Sequence, residues 1–310
     1  MHLLSTGNPK TLKGMAQGYN TYILHLAPST LSGHNTCPKA TPGCIASCLN
    51  TAGRGGMFKR GENTNTIQQA RIRKTQLFYN NRDEFFTLLV KDIDLALKQS
   101  AKLGLIPVFR LNGTSDLSWE KYSFTNNGIT YTNIFAKYPE VQFYDYTKVL
   151  GRKVKGIANY HLTFSMADGN YLDCKQAVIE GMNIAVVFGI KKGTEMPKKY
   201  FNHNMTVFNG DESDLRFLDP KNSIIGLYAK GKAKKDTSGF VHYPVGDYQF
   251  TTAIDYPTPG LYLVLKFSTT RLEFVVADHS DLISIDIVDN IPKLKIKKIA
   301  IAAAAKSGFP

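Results

Sequence analysis

The sequence contains no run of eighteen or more apolar residues, so we expect no membrane-spanning helix. Its first residues also lack the charged-then-apolar pattern of a secretory signal peptide. Internal repeats and long low-complexity tracts, which mark solenoids and disordered linkers, are missing as well. We therefore expect a cytoplasmic protein, and its 310 residues suit either one α/β barrel or two unequal domains.

Cysteine is scarce, with four residues in the chain, yet three of them lie within twelve residues. Cys37, Cys44 and Cys48 occur in the stretch CPKATPGCIASC with the spacing C-x6-C-x3-C, and Cys174 is distant. In a reducing cytoplasm, clustered cysteines bind a metal or carry out chemistry more often than they form disulfides. Residues 37–48, called the cysteine loop below, are therefore the first candidate site.

Acidic residues are absent before Glu62, although six lysines and arginines precede it. The whole chain has a formal charge of +13, and a second basic run, KGKAKK, occupies residues 230–235. A charge of this sign favours anionic partners, either nucleic acid or a phosphate-bearing small molecule. The sequence predicts that both basic stretches form a positive rim beside the cysteine loop. Two unrelated solubilising surfaces are the alternative.

Segments rich in β-forming residues alternate with helical or loop segments along most of the chain. The apolar spacing over residues 66–104 predicts two helices, with a capping box from Asn81 to Glu84 at the start of the second. Several β-rich segments are almost continuously apolar, as expected for parallel strands covered on both faces. Residues 1–240 are therefore predicted to form an α/β fold, a complete or partial parallel β/α barrel. The predicted strands are 19–26, 106–111, 141–146, 160–165, 183–188, 205–209 and 223–228.

From about residue 241 the chain changes to β-rich segments and a Pro-Thr-Pro-Gly turn, without a long amphipathic helix. We predict a small β-rich C-terminal appendage over residues 241–310. The last stretch, KLKIKKIAIAAAAKSGFP, is basic and rich in alanine. Either a docked helix or a frayed tail is consistent with it.

Functional groups of parallel barrels gather at the carboxyl ends of the strands, where the loops begin. Asn112, Ser115 and Asp116 follow one predicted strand, Ser165 ends another, and Asp211 follows a third. We expect these five side chains to line one cavity beside the cysteine loop and to bind a cofactor there.

The cysteine loop itself favours a metal centre. A helix that begins beside Cys44 would place Cys44 and Cys48 on one face, and Cys37 would complete the set across the Pro-Gly turn. Three thiolates leave one iron of a [4Fe-4S] cluster open for a small molecule, and we predict such a cluster. Zinc is the alternative metal, and a closed zinc site needs a fourth protein ligand. The candidates for that ligand are His25, His34 and Cys174.

Several longer motifs occur together in this sequence. They are LAPSTLSGHNTCPKATPGCIASCLNTAGRG, RLNGTSDLSWE, FYDYTK, NYHLTFS, NGDESDLRFLDP and GLYAKGKAKKD. From about residue 5 to residue 241, the combination resembles the gene-product-eighty-eight-like family of bacteriophage proteins. The resemblance implies a phage origin, and hence the host cytoplasm, but it implies no particular activity.

The position of the cysteine loop after the first strand also resembles radical S-adenosylmethionine enzymes, which are partial or complete β/α barrels. Their spacing is C-x3-C-x2-C, and NGTSD stands here in place of their Gly-Gly-Glu motif. The resemblance implies a cluster whose open iron holds the amino acid end of S-adenosylmethionine, with Asn112, Ser115 and Asp116 near its ammonium group. The function implied is that of a radical S-adenosylmethionine-like enzyme. The alternatives are an iron–sulfur or zinc protein without this reaction that binds nucleic acid through a basic surface, and a protein that binds a host protein.

Overall fold

The computed structural model describes residues 1–7, 9–58, 61, 64–201 and 205–243, together with four strands between residues 263 and 292. The chain divides into two compact units, Met1–Pro244 and Val245–Pro310. The first unit is a mixed α/β structure with a mostly parallel central sheet. No helix in the described part of the chain is long and apolar enough to cross a membrane.

Within the described residues, ten strands of the first unit form the central sheet and two more form a separate hairpin. The strands of this unit are β1 (Leu4–Ser5), β2 (Tyr19–Leu24), β3 (Ile106–Arg110), β4 (Phe124–Asn126), β5 (Ile129–Tyr131), β6 (Gln142–Thr147), β7 (Tyr160–Ser165), β8 (Ile184–Phe188), β9 (Lys199–Tyr200), β10 (Met205–Asn209), β11 (Ile224–Tyr228) and β12 (Val241–His242). The central order is β2-β3-β6-β7-β8-β11-β10, all parallel, with β1 and β9 antiparallel at the two edges. A parallel α/β arrangement is therefore confirmed.

The last strands of the sheet depart from chain order. β11 lies between β8 and β10, so the final two parallel strands exchange places. β12 pairs with residues 187–188 of β8, directly beyond the point where β7 pairs with residues 184–185. No strand pair among the described residues joins β1 to β9, so the described sheet is open.

Six helices lie among the described residues of the first unit. They are α1 (Pro9–Met15), α2 (Pro42–Ala46), α3 (Thr66–Asn80), α4 (Arg82–Lys102), α5 (Ile134–Lys137) and α6 (Tyr171–Ile179). Helix α4 packs against β3, and α6 packs against β7 and β8. The predicted break between the two long helices is confirmed. The side-chain oxygen of Asn81 accepts from the backbone N of Glu84 at 3.3 Å, and its amide donates to Glu84 Oε2 at 2.8 Å. The first hydrogen bond satisfies a backbone N–H that a helix start leaves without a partner, and the second joins the two side chains.

The face of the sheet toward α4 is an aromatic core. Tyr22, Phe109, Phe143 and Tyr160 are register partners across β2, β3, β6 and β7, and they share a buried cluster with Leu89 of α4. The ring centroids of Tyr22 and Phe109 are 5.5 Å apart, as are those of Phe109 and Phe143. Burial of each such side chain contributes roughly 1.5–3 kcal/mol, so this row holds the first strands and α4 together.

The other face carries charged side chains around a small apolar cluster that includes Val108 and Leu215, and it is covered by the segment that follows β10. Arg110 forms an ion pair with Asp214 at 3.5 Å, and the hydroxyl of Tyr144 donates to the same carboxylate at 3.4 Å. Lys13 of α1 donates to the backbone O of Asp211 at 2.8 Å. Because α1 packs beside β2 and Asp211 follows β10, a helix from one side of the sheet and a loop from the other side meet on this face.

The second unit contains the antiparallel strands β13 (Leu263–Phe267), β14 (Arg271–Val276), β15 (Leu282–Val288) and β16 (Ile291–Pro292), paired in chain order. The Pro-Thr-Pro-Gly turn and the predicted basic tail, residues 293–310, lie outside the described residues.

Candidate metal centre at the cysteine loop

The cysteine loop leaves the sheet after β2 and consists of short turns. Thr41 caps α2, because its Oγ1 accepts from the backbone N of Cys44 at 3.2 Å. The helix ends at Ala46, and Cys48 lies beyond it at the start of a 3-10 turn, where its Sγ accepts from the backbone N of Asn50 at 3.5 Å. The prediction that one helix carries both Cys44 and Cys48 is therefore wrong, because the helix stops before Cys48.

All three thiols of the loop are free and partly exposed. Cys37 Sγ accepts from the backbone N of Ser29 at 3.3 Å and lies 3.8 Å from the backbone O of Thr114. Burial raises the pKa of the Cys37 thiol and raises the pKa of Cys48 to about 11, and neighbouring thiols of the loop add to both increases. The three sulfur atoms are therefore close enough to interact electrostatically, and a bound metal would have to displace protons from them.

A half-buried lysine lies beside these thiols. Lys148 follows β6, and its backbone N donates to Asp116 Oδ2 at 2.8 Å. Burial lowers the pKa of the Lys148 ammonium group, but the charges of Cys44 and Asp116 and a hydrogen bond with Cys44 outweigh burial and raise it. Lys148 is therefore charged, and its ammonium group forms a hydrogen bond with Cys44. One cation inside the site offsets part of the negative charge that three thiolates would concentrate there.

Two carboxylates from distant loops hold the cysteine loop in place. Asp168, which follows β7, accepts from Thr41 Oγ1 and from the backbone N of Gly43 at 3.0 Å. Asp236, which precedes β12, accepts from Ser47 Oγ at 3.2 Å. A side chain at position 43 would clash with the carboxylate of Asp168, so the close approach requires Gly43. Asp168 follows β7 and Asp236 precedes β12, and both of these strands pair with β8. The central sheet therefore positions the cysteine loop.

Three of the predicted cofactor residues, Asn112, Ser115 and Asp116, lie together in the loop after β3. Asn112 is buried, and its Oδ1 accepts from Ser115 Oγ at 2.9 Å and from Trp119 Nε1 at 3.1 Å. Asn112 therefore organises this loop from within. Asp116 is placed differently, because it contacts Lys148 at the edge of the thiol cluster.

The other two predicted cofactor residues, Ser165 and Asp211, follow different strands of the same sheet edge. Ser165 ends β7 opposite Ala185 of β8. Asp211 follows β10, where it forms an ion pair with Lys230 at 2.5 Å and accepts from the backbone N of Tyr228 at 2.8 Å. A shallow cavity of about 360 Å³ lies between the start of β2 and the end of α4, and none of the five predicted residues lines it.

The candidates for a fourth zinc ligand occupy separate environments. His34 stacks on Tyr79 with ring centroids 4.2 Å apart, and Cys174 is buried on α6 in a hydrophobic cluster. Burial and nearby cations, Arg71 first among them, lower the pKa of His25 to about 3. In the part of the chain that the structure describes, no group of three or more His, Cys, Asp or Glu side chains could hold a metal ion as arranged.

Comparison with protein families identifies the first unit. The family model named gene product 88 matches residues 2–243 of the chain. The chain belongs to the gene product 88 family. This confirms the family resemblance carried by the cysteine loop and the motifs that follow it. No curated protein and no solved structure matches this gene product 88 chain. The match ends beside the unit boundary at Pro244, so every residue of the candidate centre lies inside it.

The cysteine spacing does not predict the other groups that surround the thiols in this gene product 88 protein. Arg71 of α3 donates to the backbone O of Asn50 at 3.2 Å and interacts electrostatically with Cys48. For Lys148 the sequence offers one signal, since the residue directly follows a strand. Arg71 lies on a helix, and Asp236 lies in a loop far along the chain, so neither carries a local signal.

Replacing Asp168 with Ala should reduce the metal bound to the cysteine loop roughly tenfold, as loss of an orienting partner commonly does. Thr41 and the backbone N of Gly43 lose their acceptor, so the thiols lose their fixed positions. Metal content of the purified protein measures the effect. Asp173→Ala, which removes an exposed carboxylate from the same segment, is the matched control. Equal metal content in both variants would show that Asp168 does not position the site.

Proposed function

We propose that the first unit holds a [4Fe-4S] cluster on Cys37, Cys44 and Cys48 and that it is a radical S-adenosylmethionine-like enzyme. The observation that carries the proposal is the set of three free thiols, from one loop after the first parallel strand, beside the half-buried ammonium group of Lys148. As arranged in the described residues the thiols do not form a metal-binding group, so a bound cluster would draw their sulfur atoms together. Such a cluster, when bound, supplies an electron and an open iron position for a small molecule.

The chemistry of the donor set supports a thiolate-bound cluster. The sulfur atoms of Cys37 and Cys48 each accept a backbone N–H, which stabilises negative charge on sulfur and tunes iron–sulfur sites. The ammonium group of Lys148 forms a hydrogen bond with Cys44. Each thiol therefore has a donor or cation of its own within the protein.

The edge of the sheet supports a cofactor next to the cluster. The cysteine loop, Asp116 and Lys148 come from the carboxyl ends of β2, β3 and β6, where ligands of parallel α/β sheets bind. Among the described residues, the buried Oδ1 atom of Asp116 accepts no hydrogen bond, and Arg152 Nη1 lies 3.9 Å from it. We assign Asp116 as the group that holds the ammonium of the cofactor. Asn112 and Ser115, which are hydrogen-bonded to each other, hold the loop that carries Asp116.

Zinc is the second candidate for the metal, as a closed site that fastens the cysteine loop without a reaction. The anchoring of the loop by Asp168 and Asp236 favours the cluster instead, because a loop already held by the protein has less need of a structural metal.

Anaerobic purification of the full chain tests the proposal. Iron and acid-labile sulfide should be present in a ratio near one, and the paramagnetic resonance spectrum of the reduced protein should change when S-adenosylmethionine is added. A cluster whose spectrum does not change when S-adenosylmethionine is added would refute the enzyme class. Protein that contains zinc alone, or no metal, would refute the cluster.

A further inference from the structure

The two basic stretches of the chain meet on one surface. Gly231 has a φ of +56°, and a Cβ placed on it would lie 3.3 Å from the Cα of Ala52. The turn that contains residues 231–235 therefore packs directly on the turns that follow the cysteine loop. Lysines and arginines of both stretches are exposed there. They are Arg54, Lys232, Lys234 and Lys235, which lie in the turns that meet and which we call the basic rim.

The carboxylates near the basic rim are used inside the protein. Asp236 accepts from Ser47 Oγ and from the backbone N of Val241 at 3.0 Å. Asp168 accepts from the cysteine loop, and Asp211 pairs with Lys230. These three acidic groups face inward while the ammonium groups of the rim face water, so the charge presented to a partner is positive.

Apolar side chains are exposed beside the same charges. Leu49 and Met57 are 50% and 70% exposed, and Phe58 is 41% exposed. Leu49 directly follows Cys48, and Met57 is tied to the start of α3, since its backbone O accepts from Asn65 Nδ2 at 3.0 Å. Aromatic side chains beside a basic groove stack on unpaired bases, and Phe58 offers such a ring, with Leu49 and Met57 as further apolar surface.

We propose that the basic rim, with Leu49, Met57 and Phe58, is a binding surface for single-stranded nucleic acid. The lysines and Arg54 contact phosphates, and the apolar side chains contact the faces of unstacked bases. A duplex offers its phosphates but hides its base faces, and an acidic peptide without aromatic residues offers charge without a planar ring. A single strand therefore matches both the charged and the apolar side chains of this surface. The inference goes beyond the proposed function and does not depend on a metal.

The charge half of the proposal is tested with the triple variant K232A/K234A/K235A. Its affinity for a labelled single-stranded oligonucleotide of mixed sequence should fall at least tenfold. The slope of log K against log salt should become shallower by about 2, because each phosphate contact on a single strand contributes about 0.7. The matched control is K91A/K98A/K102A, which removes three exposed lysines from α4. If both variants lose the same affinity, the effect comes from the net charge of the protein and not from the basic rim, and the proposal is overturned.

The base-stacking half is tested with M57A/F58A. This variant should lose roughly tenfold in affinity for the single strand, while its salt slope stays that of the wild type. Duplex of the same sequence and polyglutamate are the competing polyanions, and both should bind more weakly than the single strand. Tighter duplex binding, tighter polyglutamate binding, or no binding of the single strand at low salt would each overturn the proposal. Iron measured in the same preparations keeps this outcome separate from that of the cluster.

Discussion

Replacing Cys37, Cys44 or Cys48 with Ala, one at a time, should lower iron and acid-labile sulfide to background in anaerobically purified protein. Each substitution leaves two thiolates, and two thiolates from one short loop do not retain a four-iron cluster through purification. The loss should be similar at all three positions despite their different surroundings, since each sulfur would hold one iron. Iron, sulfide and the visible absorption of the cluster are the measurements.

Cys174→Ala is the matched control for these variants. Cys174 is buried on α6, and burial raises the pKa of its thiol to about 12, which disfavours the thiolate that iron requires. Its replacement should leave the iron content unchanged. Loss of iron in this variant would indicate a site with four cysteine ligands, and full iron in any loop variant would remove that cysteine from the ligand set.

The substitution Glu120→Gln should lower the free energy of unfolding by about 3–5 kcal/mol. The side chains of Glu120 and Arg152 are 3% and 2% exposed, and Arg152 Nε donates to Glu120 Oε1 at 3.0 Å. Removal of the carboxylate charge leaves the guanidinium buried with Asp116 at 3.9 Å as its other carboxylate. Urea unfolding measures the change. Glu140→Gln, at an exposed position, should stay within about 0.5 kcal/mol of the wild type.

A double variant distinguishes an unpaired charge from lost packing. Glu120→Leu combined with Arg152→Met removes both charges and keeps apolar volume, so it should be more stable than Glu120→Gln. If the double variant is as unstable as the single one, the buried charge is not the cause. Arg152 also lies 3.9 Å from Asp116, and Asp116 accepts from the backbone N of Lys148. Because this chain of contacts reaches the thiols, Glu120→Gln should also retain less iron than the wild type.

Local sequence patterns were sufficient to predict most helices and strands of the first unit. The strand predicted at 106–111 is β3, Ile106–Arg110, and the capping box at Asn81 separates α3 from α4 as predicted. These features depend on interactions between residues a few positions apart, such as caps and apolar periodicity, so the local sequence encodes them.

The order of the last strands could not be read in the same way. β10 and β11 are both short and apolar, and nothing in their periodicity says which one pairs with β8. The structure places β11 between β8 and β10, where a Cβ on Gly226 would lie 3.0 Å from Val207 of β10 and 3.2 Å from Phe188 of β8. A glycine inside a strand indicates such close approach, but it does not name the neighbours.

The sequence by itself determined that three thiols lie close together, because Cys37, Cys44 and Cys48 are separated by few bonds, and it determined the family through long motifs. Only the tertiary structure decided what surrounds them. Lys148 and Asp168 follow β6 and β7, and Asp236 comes from a loop packed on the cysteine loop. The physical reason is that parallel strands bring the ends of distant segments to one edge, so the charges and hydrogen-bond partners of this site depend on the order of the sheet.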